Sequence, residues 1–156
     1  MPIDRALLAA QGYIELDMPD EALRELDELP PEERGFQQVL QVRLFVLMRT
    51  RRWAEAMAVC DALRKADPSQ TTGYIHGAFC LHELGRTREA KELLLSGPAA
   101  LLREATYYYN LGCYDAVLGN LDDALHALEI SFKMDDKFRE IAKYDPDLKP
   151  VIGMLS

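Results

Sequence analysis

Four alanines, Ala22, Ala56, Ala90 and Ala124, stand 34 residues apart. An acidic residue precedes each: Glu21, Glu55, Glu89 and Asp123. Four positions after each comes Leu26, Cys60, Leu94 or Leu128, and five positions before stands Asp17, Arg51, Gly85 or Gly119. A fixed period of this size means a repeated supersecondary unit that cannot hide its apolar face alone and must be covered by the next copy. The small residue lets two helices approach closely. The two glycines suit the tight turn between them, because glycine reaches positive φ cheaply.

The apolar spacing gives the unit its type. Leu7, Leu8, Ile14 and Leu16, then Leu40, Leu44 and Leu47, recur at helical intervals. Breakers separate the periodic stretches: Met18-Pro19, Leu29-Pro30-Pro31, Asp67-Pro68-Ser69 and Ser96-Gly97-Pro98. No segment shows sustained strand alternation. Helices are expected over 4–16, 19–29, 33–50, 53–66, 70–84, 87–96, 99–118 and 121–134. A ninth, over 135–144, is ended by Asp145-Pro146, with Phe138 and Ile141 inward and Lys137, Arg139 and Lys143 outward.

The pattern resembles the tetratricopeptide repeat. Tyr108-x2-Leu111-Gly112, Gly119 and Ala124-x3-Leu128 match it in the fourth unit; Tyr74, Ala78, Gly85 and Ala90-x3-Leu94 match in the third. The second carries Leu40, Leu47, Trp53, Ala56 and a closing Asp67-Pro68, and the first Ala6, Ala10, Tyr13 and Ala22-x3-Leu26. Tyr108 through Asp147, with Phe138-Arg139-Glu140 and Asp145-Pro146-Asp147, is similar to the closing repeat of bacterial arrays. The resemblance implies an all-α fold. It is a right-handed superhelix of four helix-turn-helix hairpins, at about 3–36, 37–70, 71–104 and 105–138, with a C-terminal cap over 135–156, all in one domain.

Two departures carry structural expectations. Pro98 falls early for a closing proline, which implies a shortened second helix in the third unit and a lengthened first helix in the fourth. Asp115 stands where the family has a large aromatic. An unpaired buried charge is very costly, so its carboxylate is either partnered, by a tyrosine hydroxyl or an arginine, or exposed by a local opening.

The resemblance also implies a concave groove lined by first helices. It places there Gln38, Gln41, Phe45 and Arg49, then Thr72, Ile75, Phe79 and His82, then Tyr109 and Cys113, with Leu7 and Gln11 from the first unit. A competing expectation is that some of these complete the core or lie under the C-terminal segment. The clamp of lysines, arginine and asparagines with which some family members grip acidic tails is absent: Leu7, Gln11, Gln41 and Ile75 stand near those places.

Composition narrows the function. The net charge of −8 and the lack of a basic stripe argue against nucleic acid and anionic membrane surfaces. No apolar run is long enough to span a bilayer, and Met1-Pro2-Ile3-Asp4-Arg5 does not read as a secretion signal, so a cytoplasmic location is expected. No P-loop, dinucleotide fingerprint, HExxH or GxSxG occurs. The three cysteines, an odd count without CxxC, read as buried thiols rather than disulfides. His76, Cys80 and His82 are the nearest approach to a metal set, and helical geometry points His82 away from the other two, so no metal and no cofactor are expected. Cys113 as a nucleophile needs a base that only His76 or His82 could supply. Glu32-Glu33, Asp122-Asp123 and Asp135-Asp136 lie at expected helix starts, where negative charge complements the macrodipole. The chain therefore reads as a non-enzymatic adaptor holding a protein or peptide, with homo-oligomerisation left open. The alternative is a dedicated chaperone for a type III secretion translocator, which it resembles in length and charge.

Overall fold

The computed structural model describes residues 2–155 and is all-α, with no strand among them. The helices are α1 (Pro2–Glu15), α2 (Pro19–Asp27), α3 (Pro31–Arg34), α4 (Gln37–Arg49), α5 (Trp53–Ala66), α6 (Thr72–Glu83), α7 (Thr87–Leu95), α8 (Ala105–Val117), α9 (Leu121–Met134) and α10 (Lys137–Ala142). No described helix is long and apolar enough to cross a membrane. The chain divides into two compact units, Met1–Asp67 and Pro68–Ser156. In the first, α1 pairs with α2 and α4 with α5; in the second, α6 pairs with α7 and α8 with α9.

The 34-residue register is visible in the backbone. Asp17, Arg51, Gly85 and Gly119 all have positive φ, between 57° and 85°. Each lies between the two helices of a hairpin. The following residue, Met18, Arg52, Arg86 or Asn120, donates its N–H to a carbonyl five positions back, at 2.8–2.9 Å. This is a Schellman-type closure, which satisfies orphan carbonyls at the end of the first helix. The next helix then starts at once, with Asp20 and Glu21, Glu55, Glu89, or Asp122 and Asp123 in its first turn. None of these four helices has a side-chain cap, so the acidic residues and the turn geometry stabilise its start. In two hairpins an arginine before the helix clasps the glutamate three residues on: Arg52 with Glu55 and Arg86 with Glu89.

The four register alanines are fully buried, and so are Leu26, Cys60 and Leu128, with Leu94 1% exposed. Gly112 marks a close approach of α8 and α9. A Cβ built on it would lie 2.6 Å from Leu128 Cγ and 3.3 Å from the Ala124 carbonyl oxygen. Ser131, fully buried on α9, donates its hydroxyl proton to the Ala105 carbonyl at the start of α8, 2.9 Å away.

Two expected helices are broken instead of continuous. The stretch 33–50 divides at Gly35-Phe36, leaving the short α3 before α4. The stretch 99–118 is not a lengthened first helix: Ala99–Arg103 forms a 3-10 turn, Glu104 is extended, and α8 begins at Ala105. The cause is shared. Pro30 and Pro98 take extended backbone after α2 and α7, and a compact turn follows each. Phe36 and Glu104, both extended, then start the next helix. The two breaks lie 68 residues apart, twice the basic period. The shortened second helix of the third unit is present, α7 having 9 residues against 14 in α5.

In α10 the inward residues are Phe138 and Ala142, one helical turn apart. Ile141, expected inward, is 46% exposed. Asp115 is buried and partnered, by groups other than those anticipated: Lys91 Nζ lies 2.6 Å and Asn120 Nδ2 3.1 Å from its Oδ1.

Candidate peptide-binding surface

In the unit Met1–Asp67, α1 and α4 are the first helices of their hairpins. Between them lies a shallow cleft of about 430 Å³ lined by Leu7, Gln11, Ile14, Gln38, Gln41, Val42 and Phe45. Helical spacing puts these residues on facing stripes: Leu7, Gln11 and Ile14 on α1, and Gln38, Gln41, Val42 and Phe45 on α4. Phe45 is 53% exposed, and Gln11, Gln38, Gln41 and Arg49 are exposed. A large apolar side chain left half in water, flanked by amides that can donate and accept, is the usual composition of a recognition surface. Arg49 lies one turn beyond Phe45 and borders the Ile14–Pro19 bend with Val46 and Thr50.

The corresponding residues of the other unit are more buried. Ile75 is buried and Phe79 half-buried on α6. Tyr109 and Cys113 on α8 are 6% and 4% exposed. At His82, Tyr109 and Cys113 the C-terminal segment does the covering. Phe138 stacks on Tyr109 with ring centroids 4.9 Å apart. The Tyr109 hydroxyl donates to Asp145 Oδ2 at 2.7 Å, and Cys113 Sγ lies 3.6 Å from the same oxygen. His82 Nε2 is 2.8 Å from Asp147 Oδ2, and its Nδ1 is 2.8 Å from Thr87 Oγ1. Asp145 also accepts the Asp147 N–H at 3.0 Å, which shapes the turn that presents both carboxylates. Leu148 and Val151 complete the seal, both fully buried.

The electrostatics follow from this burial. The hydrogen bond to Asp147 holds His82 above the ordinary histidine range, against partial desolvation. Desolvation, then the charges of Asp145 and Asp147, push the Cys113 thiol far up, so it stays protonated and is a poor nucleophile. Burial pushes Tyr109 up as well. His76 is lowered by burial. His76, Cys80 and His82 bring no three ligand atoms together. Cys60, Cys80 and Cys113 are all buried thiols. Sequence marks Asp145-Pro146 as the end of a helix but gives no sign that Asp145 and Asp147 turn back onto α6 and α8.

Solved structures with the same all-α fold exist. A MamA fragment from Desulfovibrio magneticus RS-1, running from residue 41 to its end, superposes with a TM-score of 0.79. The match covers 92% of this chain and 81% of that one at 20% identity. It has a tetratricopeptide-repeat fold. An RS-1 MamA double mutant gives a TM-score of 0.76 over 98% of this chain and 94% of that one, also at 20% identity. MamA from MSR-1 gives 0.72 over 85% and 76%, at 16% identity. No family model matches the sequence, and comparison with curated proteins by sequence finds no match. At these identities the likeness establishes the tetratricopeptide-repeat fold alone; what the surface binds must be argued from its own residues.

Proposed function

We propose that the chain is a protein-interaction module without catalytic activity, and that it holds a peptide or helix of a partner on the α1–α4 face of its first unit. The observation that carries this reading is the open cleft around Phe45 in the first unit, whereas in the second unit Tyr109 and Cys113 are already covered by the chain's own C-terminal segment. Leu7, Ile14, Val42 and Phe45 offer apolar contacts at successive helical turns, the spacing a helical ligand would meet. Gln11, Gln38 and Gln41 supply hydrogen bonds at its margin, and Arg49 supplies a cation for a carboxylate on the ligand. Within the wider set of groove positions, Ile75, Phe79, His82, Tyr109 and Cys113 support the second unit's packing, and ligand contact at His82, Tyr109 and Cys113 requires the C-terminal segment to move. The raised thiol of Cys113 favours binding over chemistry.

A photo-crosslinking residue placed at Gln41 tests the assignment in living cells. The expected outcome is a discrete crosslinked partner that disappears when Phe45→Ala is added and is absent when the probe sits at Lys65, on α5. Equal crosslinking from Gln41 and Lys65 would place the binding surface elsewhere.

A further inference from the structure

We propose that His82, Cys113, Asp145 and Asp147 bind one borderline-soft divalent cation, of which zinc is the best fit, and that the ion pins the C-terminal turn to α6 and α8. Among the described residues, Cys113, Asp145 and Asp147 bring three ligand atoms within 4.8 Å of one another. His82 stands beside them, its Nε2 2.8 Å from Asp147 Oδ2. The donors are one sulfur, one imidazole nitrogen and two carboxylate oxygens. Thiolate and imidazole together select zinc-like ions over magnesium or calcium, which take oxygen alone.

Two edges of the set lie near tetrahedral lengths, and His82, outside the group of three, must swing toward the sulfur and Asp145 to complete it. Zinc–oxygen and zinc–nitrogen bonds of about 2.1 Å and a zinc–sulfur bond of about 2.3 Å put neighbouring ligand atoms roughly 3.4–3.6 Å apart. Cys113 Sγ and Asp145 Oδ2 already stand 3.6 Å apart. His82 Nε2 and Asp147 Oδ2, now hydrogen-bonded, need to separate by about half an ångström to reach such an edge. Neighbouring groups anchor the ligand side chains. Thr87 Oγ1 engages His82 Nδ1 and leaves Nε2 for the ion. The Tyr109 hydroxyl and the Asp147 N–H fix the two oxygens of Asp145. Outer partners of this kind orient metal ligands and tune their affinity.

The charge balance points the same way. Two carboxylates converge beside Cys113, and neither is paired with a lysine or arginine among the described residues. On binding, the Cys113 S–H bond breaks, its proton leaves to solvent, and the thiolate sulfur donates a pair to the cation. The Nε2 proton that His82 donates to Asp147 leaves to solvent as well, so that neutral His82 keeps its proton on Nδ1, and the His82–Asp147 hydrogen bond is exchanged for two metal bonds. Three negative ligands then face a dication, whereas the ion-free cluster relies on one imidazole alone. The sequence did not suggest this set because its members lie on α6, on α8 and beyond α10.

Metal-stripped full-length protein is titrated with cobalt(II) as a spectroscopic probe, and zinc is then added in competition. The expected result is one equivalent per chain, a sulfur-to-cobalt charge-transfer band, ligand-field bands of tetrahedral intensity, and displacement by zinc. Cys113→Ser should remove the charge-transfer band and Cys60→Ser should leave it. Thr87→Val should weaken binding about tenfold or more. If Cys113→Ser does not fold, His82→Gln takes its place, with loss of the tetrahedral bands as the expected reading. No thiolate band in the parent, a band surviving Cys113→Ser, or tetrahedral bands unchanged in His82→Gln would each overturn the proposal.

Discussion

Lys91 reaches from α7 to the Asp115 carboxylate, and its own side chain is 25% exposed while that of Asp115 is 6% exposed. Removing one member of such a pair strands the other, which for a buried pair costs about 3–5 kcal/mol. Solvent access to Lys91 and the second bond from Asn120 moderate the loss. We therefore predict that Lys91→Met lowers stability by about 2–3 kcal/mol, and that Lys91→Met with Asp115→Leu recovers most of it. Urea denaturation of the two single variants and the double variant measures both. Another prediction at this scale concerns the left-handed turns. Arg51 carries a side chain at φ 58°, where Gly85 and Gly119 carry none. Arg51→Gly should raise stability by about 0.5–1 kcal/mol, and Gly85→Ala should lower it by about 1 kcal/mol, read from denaturation midpoints. The sequence marked all four turn positions by register, but only the glycines announced their conformation. Asp17 and Arg51 are driven to positive φ by the hairpins around them, a tertiary effect that local residue preference does not record.

At the scale of the element, the repeat was legible and its interruptions were not. Hairpin identity follows from small residues at fixed spacing, and those residues are buried where the register puts them. Gly112 is the sharpest case. Gly112→Ala forces a methyl against Leu128 and the Ala124 carbonyl of α9, and such overpacking costs about 1–3 kcal/mol. A thermal melt showing no loss would mean that α8 and α9 do not approach as closely as described. The breaks at Phe36 and Glu104 were missed because apolar periodicity continues through both. The signal that marks them is the pair Pro30 and Pro98, two periods apart, each closing a second helix only 9 residues long. Asp67 and Asp135, likewise two periods apart and extended at the ends of α5 and α9, mark the alternate hairpins. Ile141 lost its inward place to Ala142 because α10 spans only 6 residues, too few for the apolar pattern to reveal which face is covered.

At the scale of the whole molecule, the sequence placed the groove residues on first helices, and those helices carry them. What it could not show is which positions remain open. Burial of Tyr109 and Cys113 depends on contacts with Phe138 and Asp145, made across more than 25 residues of chain, and register arguments do not reach that far. The same contacts separate two classes of substitution. Tyr109→Ala removes a stacked, hydrogen-bonded ring and should act on stability, by about 3 kcal/mol or more. Phe45→Ala removes a side chain already half in water and should leave the melting temperature nearly unchanged. The central claim is that Phe45 is there to meet a partner, and calorimetry of the crosslinked partner against the parent and Phe45→Ala tests it most directly. The account predicts a loss of about 2 kcal/mol, roughly thirtyfold in affinity, with helicity and thermal midpoint preserved. Equal affinity for both proteins would contradict it.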